Sequence, residues 1–268
     1  MTEYPHPHIR VDADGAILRI TLCNADRRNT QTPSFWTALA GIATRLDASV
    51  RVVVVAAEGP AFSAGLDRGI LVPGGMPGEP DMMAVAAASA QGMAEATAPF
   101  QRAFAVWRDV APIVVAAVQG YAIGAGFQLA LAADLRVVAD DVKFAMRETS
   151  LGMVPDLAGT GPLVHLVGYA RALEICATGR FVLADEAVRL GLANVAVPAT
   201  DLAAATEDLV AAMLAAPKAS LLALKPLLRH AVSAAPEEQM RYERESQGKL
   251  LNVMANVFGA TAGRLTGE

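Results

Sequence analysis

The sequence predicts an α/β fold, with a main domain over residues 1–200 that holds a ligand site and a helical region over residues 201–268. Three observations carry that expectation. Runs at Val52–Ala57, Ile113–Val118 and residues 135–138 are apolar on both faces, as in strands covered on each side. Helical spacing separates them, beginning with Phe35, Leu39, Ile42 and Leu46 after Pro33, and strands alternating with helices define the α/β class. Beyond Asp201, read as a helix N-cap, the remaining pattern is helical, with breaks at Pro217 and Pro236.

The elements follow in order. Residues 8–22 alternate apolar and polar positions about Asp14-Gly15, a tight-turn dipeptide, so the chain opens with a β-hairpin. The helix after Pro33 then feeds the buried strand at Val52–Ala57. Residues 71–80 contain Pro73, Gly74, Gly75, Pro77, Gly78 and Pro80, a composition that excludes a helix or central strand and predicts a mobile loop. Residues 81–110 are rich in Ala and Met and read as one long or broken helix, with the methionines as packing.

Composition narrows the function. Hydrophobic residues make up 54% of the chain and charged residues 18%, enough to bury a core and too apolar for disorder. A net charge of −5 without a long basic run predicts no nucleic-acid partner and no anionic membrane surface. The longest apolar stretch, residues 120–133, is interrupted by Gln128 and falls short of the roughly 20 residues a membrane span needs. Residues 1–10 lack the apolar run of an export signal, which makes the cytoplasm the default compartment. Cys23 and Cys176 read as buried thiols, and His6, His8, His165 and His230 lack metal-ligand spacing, so no metal is expected.

Two glycine turns carry the chemistry. Ala61-Phe62-Ser63-Ala64-Gly65-Leu66-Asp67 follows the first buried strand; Gly120-Tyr121-Ala122-Ile123-Gly124-Ala125-Gly126-Phe127-Gln128 follows the second and opens a helix near Ala125. Small residues let a ligand approach the main chain, and a helix start leaves N–H groups unpaired and directed at negative charge. Both turns can therefore donate backbone hydrogen bonds to one oxygen. Taken singly, Gly65 serves a tight turn and Gly124 and Gly126 allow close packing; the pair suggests a site.

The pair, together with Asn29, Gln119-Gly120-Tyr121, Ala133-Asp134-Leu135-Arg136, Glu148 and Leu151-Gly152-Met153-Val154-Pro155, resembles the crotonase (enoyl-CoA hydratase/isomerase) family across most of the chain. The resemblance implies a spiral of β-β-α turns capped by C-terminal helices that assemble a homotrimer or a dimer of trimers. It also implies an acyl-CoA substrate, with coenzyme A as part of that substrate and no permanently bound cofactor. Carried over, the N–H groups of Leu66 and Ala125 hold the thioester oxygen, and Glu148 is an acid/base. Arg27 and Arg28 meet the CoA phosphates, Phe62, Ala64, Gly65 and Gly124 line the binding site, and Asp67 orders the first turn.

The chain departs from the family pattern where hydratases carry a second glutamate, which here is Gln128. An amide does not exchange a proton at neutral pH, so a two-carboxylate water site is incomplete. Asp156, after Pro155, offers another carboxylate, as in the family's dienoyl-CoA isomerases. The implied activity is thus hydratase or isomerase chemistry with Glu148, the alternatives being isomerisation by Glu148 and Asp156 alone or a non-catalytic acyl-CoA binder. Structural readings stand beside these: Glu148 as a strand-end charge paired with Lys143 or Arg147, and Asp156 as a helix cap before Gly159. The tail from Asn252 lacks the family's usual basic end, so no CoA contact is assigned there.

Other enzyme classes fit poorly. Leu129 stands where a dinucleotide fingerprint needs its third glycine, Gly248-Lys249 is not followed by Ser or Thr, and Ser63 is outside a Gly-x-Ser-x-Gly elbow.

Overall fold

The computed structural model describes the backbone of residues 1–266 and the side chains of residues 1–256. The chain forms two compact units, Met1–Val210 and Ala211–Glu268. The first contains β1 (Thr2–His6), β2 (Ile9–Asp14), β3 (Ile17–Leu22), α1 (Pro33–Thr44), β4 (Val52–Ala57), α2 (Met82–Ala88), α3 (Ala90–Asp109), β5 (Ile113–Val118) and β6 (Tyr121–Ile123). It continues with α4 (Ala125–Ala132), β7 (Leu135–Ala139), β8 (Lys143–Ala145), α5 (Thr160–Val167), α6 (Tyr169–Thr178), β9 (Val182–Leu183), α7 (Ala184–Arg189) and β10 (Val195–Val197). Helix α8 (Leu202–Leu214) leads into α9 (Lys218–Ala231) and α10 (Pro236–Thr266) of the second.

Seven strands form one sheet in the order β1-β2-β3-β4-β5-β7-β10, and β6-β8-β9 form a second. The chain winds as a spiral because successive units, β5-β6-α4 and β7-β8-α5, each give one strand to each sheet before their helix. From β3 to β10 the large sheet is parallel, and Val52, Val53, Val54 and Val55 of β4 are all buried between neighbours, as their unbroken apolar run requires.

The hairpin forms, with one shift. Asp14 pairs with Ile17, so Gly15 and Ala16 make the turn; Gly15 takes φ +54 at the first central position and Asp14 stays in the strand. The long helical segment is broken once, at Ser89, whose side chain caps α3 by accepting from Gly92 N–H at 3.2 Å. Asp201 is not a side-chain cap: it ends a short 3-10 turn and accepts from Thr200 Oγ1 at 2.9 Å. Cys23 and Cys176 are free thiols, half-buried rather than fully enclosed.

Arg136 shows how the buried strand after α4 is secured. Its guanidinium is buried and donates to the carbonyls of Ala133 at 2.7 Å, Ala130 at 3.3 Å and Leu192. Ala130 lies in the last turn of α4 and Ala133 is its C-cap, the end of a helix that a cation complements. Desolvation pulls its pKa down to about 10, so it remains charged at neutral pH. Arg136→Met should lower the urea midpoint, by about 1–3 kcal/mol of stability, because those carbonyls lose their donor while the alkyl packing persists.

In the second unit, the ring of His230 on α9 lies 4.5 Å from that of Tyr242 on α10, tilted by 33°, and its Nδ1 lies 2.8 Å from Gln239 Oε1. No single helix among the described residues is long and apolar enough to cross a membrane.

Candidate active site

The two glycine turns are knitted together through the main chain. Phe62 N–H donates to Gln119 carbonyl and Ser63 N–H to Tyr121 carbonyl, each at 2.9 Å, and Ile123 N–H returns a bond to Ser63 carbonyl at 3.0 Å. Glycine is needed where the strands of backbone touch. A Cβ on Gly65, at φ +88, would meet Ile123 carbonyl oxygen at 2.4 Å, and one on Gly126 would meet Ser63 oxygen at 2.3 Å.

Buried polar side chains hold the first turn from behind. Ser63 Oγ donates to Asn29 carbonyl at 2.6 Å and accepts from Gln31 Nε2 at 2.9 Å and Gly65 N–H at 3.2 Å. Trp36 donates to Gln31 Oε1 at 2.8 Å. Asn29, at φ +54, donates to the carbonyls of Glu58 at 2.9 Å and Ala61 at 2.8 Å. The sequence singled out Asn29 but not Gln31, Ser63 or Trp36 as a network; no spacing rule announces polar groups that converge only in three dimensions.

With this support, the N–H groups of Leu66 and Ala125 donate to no protein acceptor among the described residues. Gln31 bridges Leu66 from the far side through Gly65 carbonyl and Asp67 N–H, which leaves the Leu66 N–H free. Ala125 is the first residue of α4, after Gly124 at φ +54 and ψ −119, a conformation in effect reserved for glycine. The two turns approach so closely that a Cβ on Gly65 would lie 3.4 Å from Ala125 N.

Both residues line a cavity of about 790 Å³. Arg27, Arg28, Ala64, Gly65, Gly124, Gln128, Glu148 and Asp156 line it too, so nearly every residue singled out in the sequence converges there. Phe62 differs from them: its side chain is fully buried in the hydrophobic core and does not line the cavity, so only its main chain is left to meet a ligand. An aromatic ring at the start of the turn anchors it from the inside. Pro33, Trp36, Met82, Met93 and Phe100 form an apolar wall, with Trp36 and Phe100 at 5.3 Å.

Glu148 is buried beside Gly124, whose absent Cβ would lie 3.3 Å from its Oε1. It makes no ion pair with Lys143 or Arg147 among the described residues. Oε1 accepts from Gln128 Nε2 at 2.8 Å, and Oε2 is buried without a partner. Burial, helped by the charge of Asp156, raises its pKa against the opposing pull of its own N–H and of Gln128. Asp156 stands exposed at the cavity wall, where partial desolvation raises its carboxyl as well. It does not cap α5, which begins after Gly159 with no side-chain cap.

The basic residues are unequal. Arg27 Nη2 donates to Asp67 Oδ2 at 2.9 Å, and Asp67 also accepts from Thr30 Oγ1 at 3.1 Å and Gly69 N–H at 3.0 Å. Burial opposes the Asp67 charge, but these bonds outweigh it and hold the carboxyl low, so Asp67 orders the turn as expected. Arg28 lies 6.0 Å from the Tyr121 ring centroid, and Lys143 Nζ lies 5.1 Å from the same ring.

Comparison with known proteins fits this geometry. The sequence profile of the enoyl-CoA hydratase/isomerase family matches residues 12–260. The chain belongs to that family. A carnitinyl-CoA dehydratase of Salmonella arizonae is 34% identical over 239 residues, 88% of this chain and 85% of the dehydratase. Among solved structures, an enoyl-CoA hydratase candidate from Thermobifida fusca YX in complex with acetoacetyl-CoA is 42% identical, with a TM-score of 0.88 over 91% of this chain and 95% of its own. Another structure of an enoyl-CoA hydratase candidate from that organism matches 96% of this chain and 100% of its own, with a TM-score of 0.89 and 40% identity. The crotonase-like spiral of β-β-α turns expected from the sequence is therefore the fold of the chain.

Proposed function

We propose that this family member is an acyl-CoA enzyme that binds a thioester oxygen at the N–H groups of Leu66 and Ala125 and moves a proton with Glu148, to add or remove water or to shift a double bond. The observation that carries the reading is the pair of unpartnered backbone donors lining one cavity with a buried carboxylate whose Oε2 has no partner. In an enclosed site each such donor is worth roughly 3–4 kcal/mol to a developing enolate. The acetoacetyl-CoA of the Thermobifida fusca structure and the CoA thioester in the dehydratase's name support a CoA thioester as ligand.

Hydration needs acid and base functions about one water, and Gln128 supplies neither. Asp156, whose charge Glu148 feels across the cavity, is the available second carboxylate, and this favours double-bond migration between Glu148 and Asp156 as the second reading. Incubation with 2-enoyl-, 3-enoyl- and 2,4-dienoyl-CoAs, followed by mass and absorbance, separates the two. Product heavier by one water supports hydration; an absorbance change at constant mass supports isomerisation. No change with any of them identifies a binder and overturns the enzymatic reading.

CoA recognition is assigned to Arg28 with Ala64, Gly65 and Gly124, while Arg27 acts through Asp67. Arg28→Ala should weaken CoA binding by about 1–3 kcal/mol in calorimetry, as for a lost phosphate pair, and Arg27→Ala should weaken it less. Equal losses in both would return Arg27 to the phosphate site. Residues 201–268 are assigned to assembly of a trimer or a dimer of trimers, which light scattering tests. A CoA contact by the tail beyond residue 256 lies outside the described side chains. The cytoplasm remains the expected compartment, with no nucleic acid or metal required.

A further inference from the structure

Gln128 does more than replace a carboxylate, because both ends of its amide are committed. Its Oε1 accepts from the N–H of Leu157 at 2.9 Å and of Gly159 at 3.2 Å. Its Nε2 donates to Glu148 Oε1 at 2.8 Å. The opposite orientation would set an NH2 group against two N–H donors and a carbonyl against the carboxylate, so the orientation follows from the partners themselves. Crowding adds to the constraint: Gly159 is pressed so close that a Cβ there would meet Gln128 Cγ at 2.6 Å and Oε1 at 3.0 Å.

We propose that Gln128 is a positioning residue that reserves Oε1 of Glu148 as a hydrogen-bond acceptor, so that every proton Glu148 takes or gives passes through Oε2. This rests on the reading of Glu148 as the acid/base. Oε2 is buried and has no partner, so a proton placed there has no acceptor until a ligand supplies one. In the forward step a proton leaves an acyl carbon for Oε2, its electron pair moves into the thioester enolate, and the negative charge rests on the oxygen between Leu66 and Ala125. Glu148 is then neutral, and the same oxygen returns the proton to that carbon or to another. A single proton-bearing atom makes the transfer one-sided, and Gln128 takes no part in holding a water.

The other titratable or charged groups around Glu148 are Asp156 across the cavity, Cys176 on α6, whose thiol is raised by burial and then by Glu148, and Arg147, whose guanidinium lies 5.7 Å from the Phe181 ring. None of their side chains is hydrogen-bonded to either carboxylate oxygen, which makes Gln128 the side chain to test.

The test compares wild type, Gln128→Met, Gln128→Glu and Glu148→Gln by infrared difference titration of the carboxyl band, with Glu148→Gln as the reference that removes it, and by kcat/KM against pH on a 3-enoyl-CoA. Gln128→Met deletes the donor to the ionised form at nearly constant length. The Glu148 titration and the acid limb of the rate profile should both move up by about one to two pH units. Gln128→Glu keeps an acceptor for Leu157 and Gly159 but faces a second carboxyl toward Oε1. One proton is then shared, and the pair should titrate in two separated steps. An unmoved titration in folded Gln128→Met, or a single step in Gln128→Glu, overturns the proposal. Undiminished turnover in Glu148→Gln sinks instead the assignment of Glu148 as acid/base, so the two failures are distinguishable.

Discussion

Glu148→Gln should lower turnover by about two to four orders of magnitude, the usual scale for a general acid–base group, and at the same time make the folded protein more stable near neutral pH. The second effect follows from burial. The Glu148 pKa is raised in the folded state, so the stability linked to its protonation is fully present below its unfolded pKa and is lost as pH rises through the folded one. Near neutrality the wild type carries an ionisable group whose Oε2 is buried and unpaired, while a glutamine there does not ionise. Urea unfolding at pH 7 and at pH 4 checks this: the variant's advantage should be larger at pH 7. A variant less stable than wild type at pH 7 would contradict it.

Ala125→Pro should cost on the order of a hundredfold in turnover or more, with little loss of fold, because it removes one N–H and no side chain from the proposed oxygen-binding pair. Proline is well suited to the first position of a helix, where its missing N–H has no helical partner. The circular dichroism spectrum and thermal midpoint should stay close to wild type while kcat falls. A folded Ala125→Pro enzyme with normal turnover would move the oxyanion donor elsewhere.

The parts legible in the sequence are those with a long periodic signal. The hairpin, α1, β4, β5 and α4 lie where their apolar spacing places them, since each buries a face over six or more residues. What escaped is short or three-dimensional. The strands β6, β8 and β9 have only two or three residues each, too few for a period, and β1 was hidden by Pro5, which an edge strand accommodates. At the site, two glycine turns and one glutamate were enough to find the cavity. The inward direction of the Phe62 ring was not legible, because a residue's position in a turn does not tell which way its side chain points. The sequence showed that Gln128 breaks a two-carboxylate pattern, but its engagement of Leu157 and Gly159 could not be anticipated from positions some 30 residues away.

The backbone weave between the two turns separates two kinds of change available to this scaffold. In the proposed reading, rate enhancement at the thioester oxygen is vested in main-chain atoms of Leu66 and Ala125 and in glycines that admit no side chain, whereas the wall of Met82, Met93 and Phe100 consists of side chains outside that weave. Acyl-chain preference can therefore drift through ordinary substitutions in the wall while the oxygen-binding geometry stays fixed. A selection for new acyl specificity should accumulate changes at those wall positions and leave Gly65, Gly124 and Gly126 untouched.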